Sequence, residues 1–261
     1  MSDLGRPRLH LRRIDSTNDR ARELAIGGAP NGTLVTAGEQ TAGRGRQGRR
    51  WSAPADSAIL MSLVLRSPPT LLPLMAAVAV CDLAGEGARI KWPNDVVLET
   101  PPAEGGRPPA RSPDRGSPPA LAKLAGILTE GRPQQGWAVL GIGVNVAVEL
   151  SELPAQLRGQ AGGEDPSPGS LPAATLGWGR AEIEPALARL LLALERRLAQ
   201  PPATILDEWR SRDALKGREI AWEGGRGRAR GVDGEGRLIV ALDGGGRTTL
   251  NAGEVHLTSV S

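Results

Sequence analysis

The sequence predicts an α+β body with a mixed, mostly antiparallel sheet over residues 1–214 and a small β-barrel over 215–261. Three features carry that reading. Helix-like runs are interleaved with β-favouring runs in the first part, and several strand candidates are joined by short Gly/Pro turns. After residue 214 the pattern changes to short β segments separated by Gly and Asp. At 261 residues, 39% of them hydrophobic, the chain can bury one good core and a smaller second one, and it is not a disordered chain. Six Trp with no Tyr or Phe make that core aliphatic.

In chain order, "STNDRARELAIGG" reads as a short helix capped at Ser16, with Asp19 three residues on and Gly27-Gly28 as its stop. "GTLVTAGEQ" and "SAILMSLVLR" read as strands, residues 71–84 as a helix and "ARIKW" as a strand end. "KLAGILTE" and "GWAVLGIGVNV" form a strand pair about a Gly/Pro turn. The stretch about residues 100–120, with seven prolines in 101–119, is too rich in Pro, Gly and charge to bury itself and is expected to be a surface insertion. "RGQAGGEDPSPGS" is a second weak region, followed by a helix over roughly 181–199. There Leu187, Leu191, Leu194 and Leu198 share one face. In the last segment "DGEG" marks a hairpin turn.

Composition excludes several functions. Lys91, Lys123 and Lys216 are the only lysines among 32 basic residues, so arginine is a compositional bias and not a nucleic-acid signature. The formal charge of +3 is too small to imply a polyanionic partner. The lone Cys81 can form no internal disulfide, and His10 and His256 are too far apart in sequence to suggest a zinc site. The N-terminus lacks a signal peptide's apolar core, and no stretch reaches the roughly 18 apolar residues of a membrane span. A soluble cytoplasmic protein is the expectation.

The chemistry concentrates in short polar pieces. "TAGRGRQGRRW" contains G-x-G-x-x-G, but a dinucleotide turn needs a helix after its glycines, and here Pro54 and a β-favouring run follow. The loop can instead wrap an anion: glycines expose backbone N–H groups, and Arg44 and Arg46 offer forked donors. A solvated hairpin loop is the plain alternative. The scarce Lys91 and Lys123 suit charge stabilisation beside a phosphate. Asp95 suits a Mg²⁺ shared with phosphates and water, or a turn cap, and Asn145 suits a ligand amide contact or a backbone cap.

Taken in order, "STN", "EQTAGRGRQGRRW", "KWPND", "KLAGIL", "GIGVNV" and the terminal "GVDGEGRLIV…GEVHL" resemble the biotin protein ligases, over about residues 12–260. The resemblance implies a catalytic domain like that of class II aminoacyl-tRNA synthetases and a C-terminal SH3-like barrel. It implies two-step chemistry with ATP, biotin and Mg²⁺: biotinyl-5′-AMP forms, and its acyl group passes to a lysine of a biotin carboxyl carrier domain. By the same likeness Ser16, Thr17 and Gln40 line the biotin head, with Asn18 of "STN" among the binding residues and the backbone around Gly43 and Gly126 completing it. Arg44 and Arg46 hold the carboxylate or phosphate and order the loop. Lys123 meets the carboxyl–phosphate junction, Trp51 packs on adenine and Asn145 contacts it. Asn94 and Asp95 lie near metal and incoming lysine, and Lys91 belongs to the same motif.

Two departures accompany the likeness. Only about ten residues precede the catalytic part, so a helix-turn-helix repressor domain and DNA binding are not expected, and the proline-rich insertion replaces a brief turn. Monomer and homodimer both remain open. The rival readings are a lipoate ligase and a non-enzymatic nucleotide-sensing or nucleic-acid-binding protein.

Overall fold

The computed structural model describes residues 4–100, 119–132, 136–154, 171–251 and 255–257. Two sheets and four helices organise them. The chain runs β1 (Arg8–Ile14), α1 (Thr17–Ile26), β2 (Leu34–Gln40), β3 (Ala58–Arg66), α2 (Leu72–Ala84), β4 (Ala88–Lys91), β5 (Asp95–Thr100), β6 (Ala120–Arg132) and β7 (Trp137–Asn145). It continues with α3 (Ile183–Leu198), α4 (Pro202–Ser211), β8 (Glu219–Trp222), β9 (Gly225–Val232), β10 (Leu238–Leu242), β11 (Arg247–Leu250) and β12 (His256–Leu257). The first sheet has the order β1-β2-β3-β7-β6-β5-β4. Only β1 and β2 are parallel, so the sheet is mixed and mostly antiparallel, as expected. Residues 101–118, which hold most of the expected insertion, lie outside the described residues, as does the whole of the weak region at 158–170.

The two faces of this sheet do different jobs. Along β3 and β7 the residues Ile59, Met61, Leu63, Leu140, Ile142 and Val144 point into the main core. There they meet α2, whose run Leu74–Cys81 is buried throughout, and α3. A helix apolar on every side belongs in such a sandwich. The opposite face carries Ser62, Val64, Gly141 and Gly143 and is covered by α1 over Val35, Val64 and Val139. Beyond the N-terminus of α1 that face stays open. On α3 the buried stripe is Leu187, Leu190 and Leu194, with Leu191 and Leu198 packed at its edge, so the expected face is correct but centred nearer Leu190.

The barrel expectation is overturned. Strands β8–β12 form a linear sheet, β11-β10-β9-β8-β12, and its end strands β11 and β12 do not pair among the described residues. The sheet does not close because its apolar side already has a core: Ile220, Ala229, Val232, Leu238, Val240 and Val255 join the main cluster. Gly and Asp turns signal hairpins, but they do not say whether the outer strands meet.

Among the described residues no helix is long and apolar enough to cross a membrane.

Candidate active site

The open face of the first sheet holds a cleft of about 1020 Å³ including its mouth. Twelve of the fourteen residues singled out in the sequence line it: Ser16, Thr17, Asn18, Gln40, Arg44, Arg46, Trp51, Lys91, Asn94, Asp95, Lys123 and Gly126. Gly43 and Asn145 do not.

One end of the cleft is a polar network at the start of α1. Ser16 caps that helix, its Oγ accepting from Asp19 N at 3.4 Å. Thr17 donates to Gln40 Oε1 through its backbone N–H (2.8 Å) and its hydroxyl (3.0 Å). Ser62 Oγ lies 2.6 Å from Asn18 Oδ1 and 2.8 Å from Thr17 Oγ1, its single proton serving one at a time. Asn18 Nδ2 donates to Glu130 Oε2 at 2.9 Å. Ser16, Thr17, Asn18 and Ser62 are all buried, and buried polar groups persist when they are paired in this way.

The other end is cationic. β5 and β6 pair Asp95 with Gly126 and Val97 with Lys123, with a bulge between Val96 and Val97. Regular alternation would send Lys123 to the core face; the extra residue, Leu124, returns it to the face shared by Asp95 and Gly126. There its Nζ sits 2.7 Å from Asp95 Oδ1. The contact is ionic and lacks hydrogen-bond angles, and Asp95 Oδ1 accepts no hydrogen bond among the described residues. Asn94 is tied to Ile127 in both directions: Ile127 N donates to Asn94 O at 2.9 Å and Asn94 Nδ2 to Ile127 O at 3.0 Å. Arg46 reaches Asn94 Oδ1 at 3.4 Å.

Trp51 forms the floor between the two ends. Gly126 and Gly143 face each other across β6 and β7, and the indole lies on both. A β-carbon at Gly143 would stand 2.5 Å from Trp51 Cε2. Lys123 Nζ is 5.7 Å from the ring centroid. The indole Nε1–H is buried and has no acceptor among the described residues.

The glycine-rich loop closes as a small hairpin through an Arg44–Arg50 bridge, with Trp51 N donating to Gly43 O at 2.9 Å. Gly43 serves the backbone here: a β-carbon would lie 2.4 Å from Trp51 O. Arg44 donates to Asp19 Oδ1 at 2.7 Å and lies 3.5 Å from Glu130 Oε1. The Asp19 hydrogen bond and the Glu130 charge raise its guanidinium pKa above the usual arginine value.

Three positions do more for scaffolding than the motifs suggest. Lys91 is buried and its Nζ donates to Val255 O at 2.9 Å, while Trp92 Nε1 donates to Gly236 O at 3.1 Å. These two contacts tie the second sheet to the motif that carries Asn94 and Asp95. Asn145 Nδ2 donates to Ala174 O at 2.8 Å. It thereby helps hold the segment at 172–174, whose backbone also pairs with Lys123. Sequence reasoning missed Ser62, Glu130 and Gly141. A lone serine inside the apolar run "AILMSLVLR" was the available signal for the first.

Comparison with known proteins gives the class to which this fold and cleft belong, the biotin/lipoate protein ligase family. Residues 10–146 match the biotin/lipoate A/B protein ligase family, and residues 217–257 match the biotin protein ligase C terminal domain. The chain is 35% identical to the biotin–[acetyl-CoA-carboxylase] ligase of Mycobacterium tuberculosis over 93% of this chain and 86% of that one. It is 34% identical to the Paracoccus denitrificans ligase of the same name over 94% and 98%. The bifunctional ligase/repressor BirA of Bacillus spizizenii is 37% identical over 56% of this chain, which spans only 42% of that relative's length. In fold, the chain resembles the Aquifex aeolicus biotin protein ligase in complex with biotin and ATP, with a TM-score of 0.70, 22% identity and coverage of 98% and 100%. The chain belongs to the biotin protein ligase family.

Proposed function

We propose that this protein activates biotin with ATP as biotinyl-5′-AMP and transfers the biotinyl group to a lysine of a biotin carboxyl carrier domain. The observation that carries this is one cleft with a buried hydrogen-bonding network at one end, a lysine and arginine cluster at the other and an indole between them. A polar ring head fits the first, and an acyl-phosphate junction fits the second.

In the first step a biotin carboxylate oxygen bonds to the α-phosphorus of ATP, and the bond to pyrophosphate breaks. Negative charge grows on the phosphoryl oxygens, where Lys123 and Arg46 are placed to stabilise it. In the second step the carrier's neutral lysine nitrogen attacks the acyl carbon, AMP departs, and the amide nitrogen loses a proton. Asp95, the only carboxylate among the described lining residues, is the group suited to receive that proton. Trp51 offers adenine a face and a buried N–H that has no acceptor among the described residues. The reading also takes residues 1–214 as the catalytic body and 215–261 as a smaller C-terminal domain.

Mg²⁺ fits this reading as an ion carried by the triphosphate. Asp95 alone, paired with Lys123, is no protein-built cage, and the described residues contain no cluster of three metal-ligating side chains. One carboxylate plus phosphates and water is the usual magnesium arrangement, and the ion would neutralise phosphate charge.

The test is mass spectrometry of a carrier domain incubated with the protein, ATP and either biotin or lipoate. One biotinyl group on one lysine is expected. A lipoyl adduct, or none, contradicts the reading.

A further inference from the structure

Four charged side chains meet at the rim of the cleft, and the two proposed steps use none of them. Asp19 and Arg22 project from α1, Glu130 from β6, and Arg44 from the glycine-rich loop. Arg44 contacts Asp19 at 2.7 Å and Glu130 at 3.5 Å. Arg22 touches the same two oxygens, Asp19 Oδ1 and, at 3.7 Å, Glu130 Oε1. Asn18 fixes the other Glu130 oxygen. Two arginines therefore share two carboxylates, and three of the four stand on a rigid helix or strand.

We infer that Asp19, Glu130 and Arg22 form a docking station from which Arg44 is exchanged onto the ligand's anionic group, so that these three residues set the affinity of the cleft. This rests on the reading of the cleft as an anion-activating site. The charge count gives the direction. With Arg44 docked the cluster is neutral. When Arg44 leaves for a phosphate or carboxylate, Arg22 stays and the remainder is −1; without Arg22 it would be −2, two carboxylates facing each other with no cation. Arg22 thus eases the departure of Arg44, while Asp19 and Glu130 compete with the ligand for it. Arg22 and the two carboxylates are positioning residues, and removing them moves affinity in opposite directions.

The test compares Arg22→Gln, Arg22→Lys and the double variant Asp19→Asn/Glu130→Gln in biotin-dependent exchange of labelled pyrophosphate into ATP. The four side chains are 23–41% exposed, so each pair is worth up to ~1 kcal/mol, which limits the shifts to about threefold to fivefold. Arg22→Gln is expected to raise the Michaelis constants for ATP and biotin about threefold, the double variant to lower them by a similar factor, and Arg22→Lys to restore wild type. All shifts should shrink in 1 M salt, where screening reaches about 3 Å. A second readout needs no turnover: trypsin cleavage within residues 44–50 of the ligand-free protein should slow in Arg22→Gln and quicken in the double variant. Shifts of the same sign in both variants, or unchanged constants and cleavage, overturn the station. Absence of exchange in the wild-type protein overturns instead the functional reading, and the cleavage rates then still decide the station.

Discussion

Replacing Gly143 with alanine probes the seat of Trp51 directly. The new β-carbon would stand 2.5 Å from Cε2, 2.7 Å from Nε1 and 2.8 Å from Cζ2 of the indole, about 1 Å inside ordinary contact. The strand cannot retreat, because Gly143 lies opposite Leu60 of β3 on one side and Gly126 of β6 on the other. The indole must therefore lift. An indole buries roughly 150–250 Å², and lifting about a third of it at ~25 cal/mol per Å² costs about 1–2 kcal/mol. For a chain of this size that is a melting-temperature drop of about 2–8 °C. Because the displaced ring is the proposed adenine platform, the Michaelis constant for ATP should rise about tenfold, the upper range for lost aromatic stacking. Gly126→Ala, whose β-carbon would meet Trp51 at 3.0 Å and 3.3 Å, should show the same pattern more weakly. Differential scanning fluorimetry and pyrophosphate exchange read the two effects. Wild-type melting and an unchanged ATP constant in Gly143→Ala would refute the placement.

Further outcomes follow from charges elsewhere. Lys123→Ala removes the cation beside Asp95 and should lower the exchange rate about 10²–10³-fold, with little change in melting. In Asp82 burial raises the carboxyl pKa, but Arg197, Arg196 and Arg212 more than offset this and hold it below its usual value, so its stabilisation is present above pH ~4 and lost on further acidification. Asp82→Asn leaves the buried Arg197 with Gln200 Oε1 at 2.9 Å as a neutral acceptor and Glu208, at 3.5 Å, as its remaining carboxylate among the described residues, and should cost about 3 kcal/mol in chemical denaturation at pH 7. Asp213 has the opposite sign: burial pushes it up to about 6, against the Leu215 and Lys216 backbone N–H groups. The residue as a whole is only half-buried, although its Oδ2 is shielded and accepts no hydrogen bond among the described residues. Its stabilisation is full below its ordinary pKa and lost as pH rises through 6, so Asp213→Asn should melt above wild type at pH 8 and close to it at pH 4, a gain of about 1–2 kcal/mol after allowing for partial exposure.

Sequence patterns revealed the elements that one signal dominates. β3, β7 and α2 are long apolar runs, and α1 has a cap and a glycine stop. β1 escaped notice because "RLHLRRI" is an edge strand with arginines outward. β5 was hidden between Pro93 and the proline-rich stretch, and α4 by the prolines at its start. The cleft shows the same division. Residues in turns and helix starts were legible because their local motifs are specific. Gly141 reaches the cleft, and Ser62 and Glu130 the hydrogen-bond network beside it, through sheet register, which local patterns do not encode beyond the lone serine of an apolar run. The bulge that aims Lys123 is likewise a property of two paired strands. Closure of the second sheet depends on which core covers its apolar side, and that too is non-local.

In the proposed function one cleft activates a carboxylate by adenylation, and the carboxylate is biotin's. Exchange of labelled pyrophosphate into ATP measures that partial reaction without any carrier protein. Exchange is expected to require biotin, to find no support from lipoate and to collapse in Lys123→Ala. Exchange that ignores biotin, or none from the folded wild-type protein, would contradict that function.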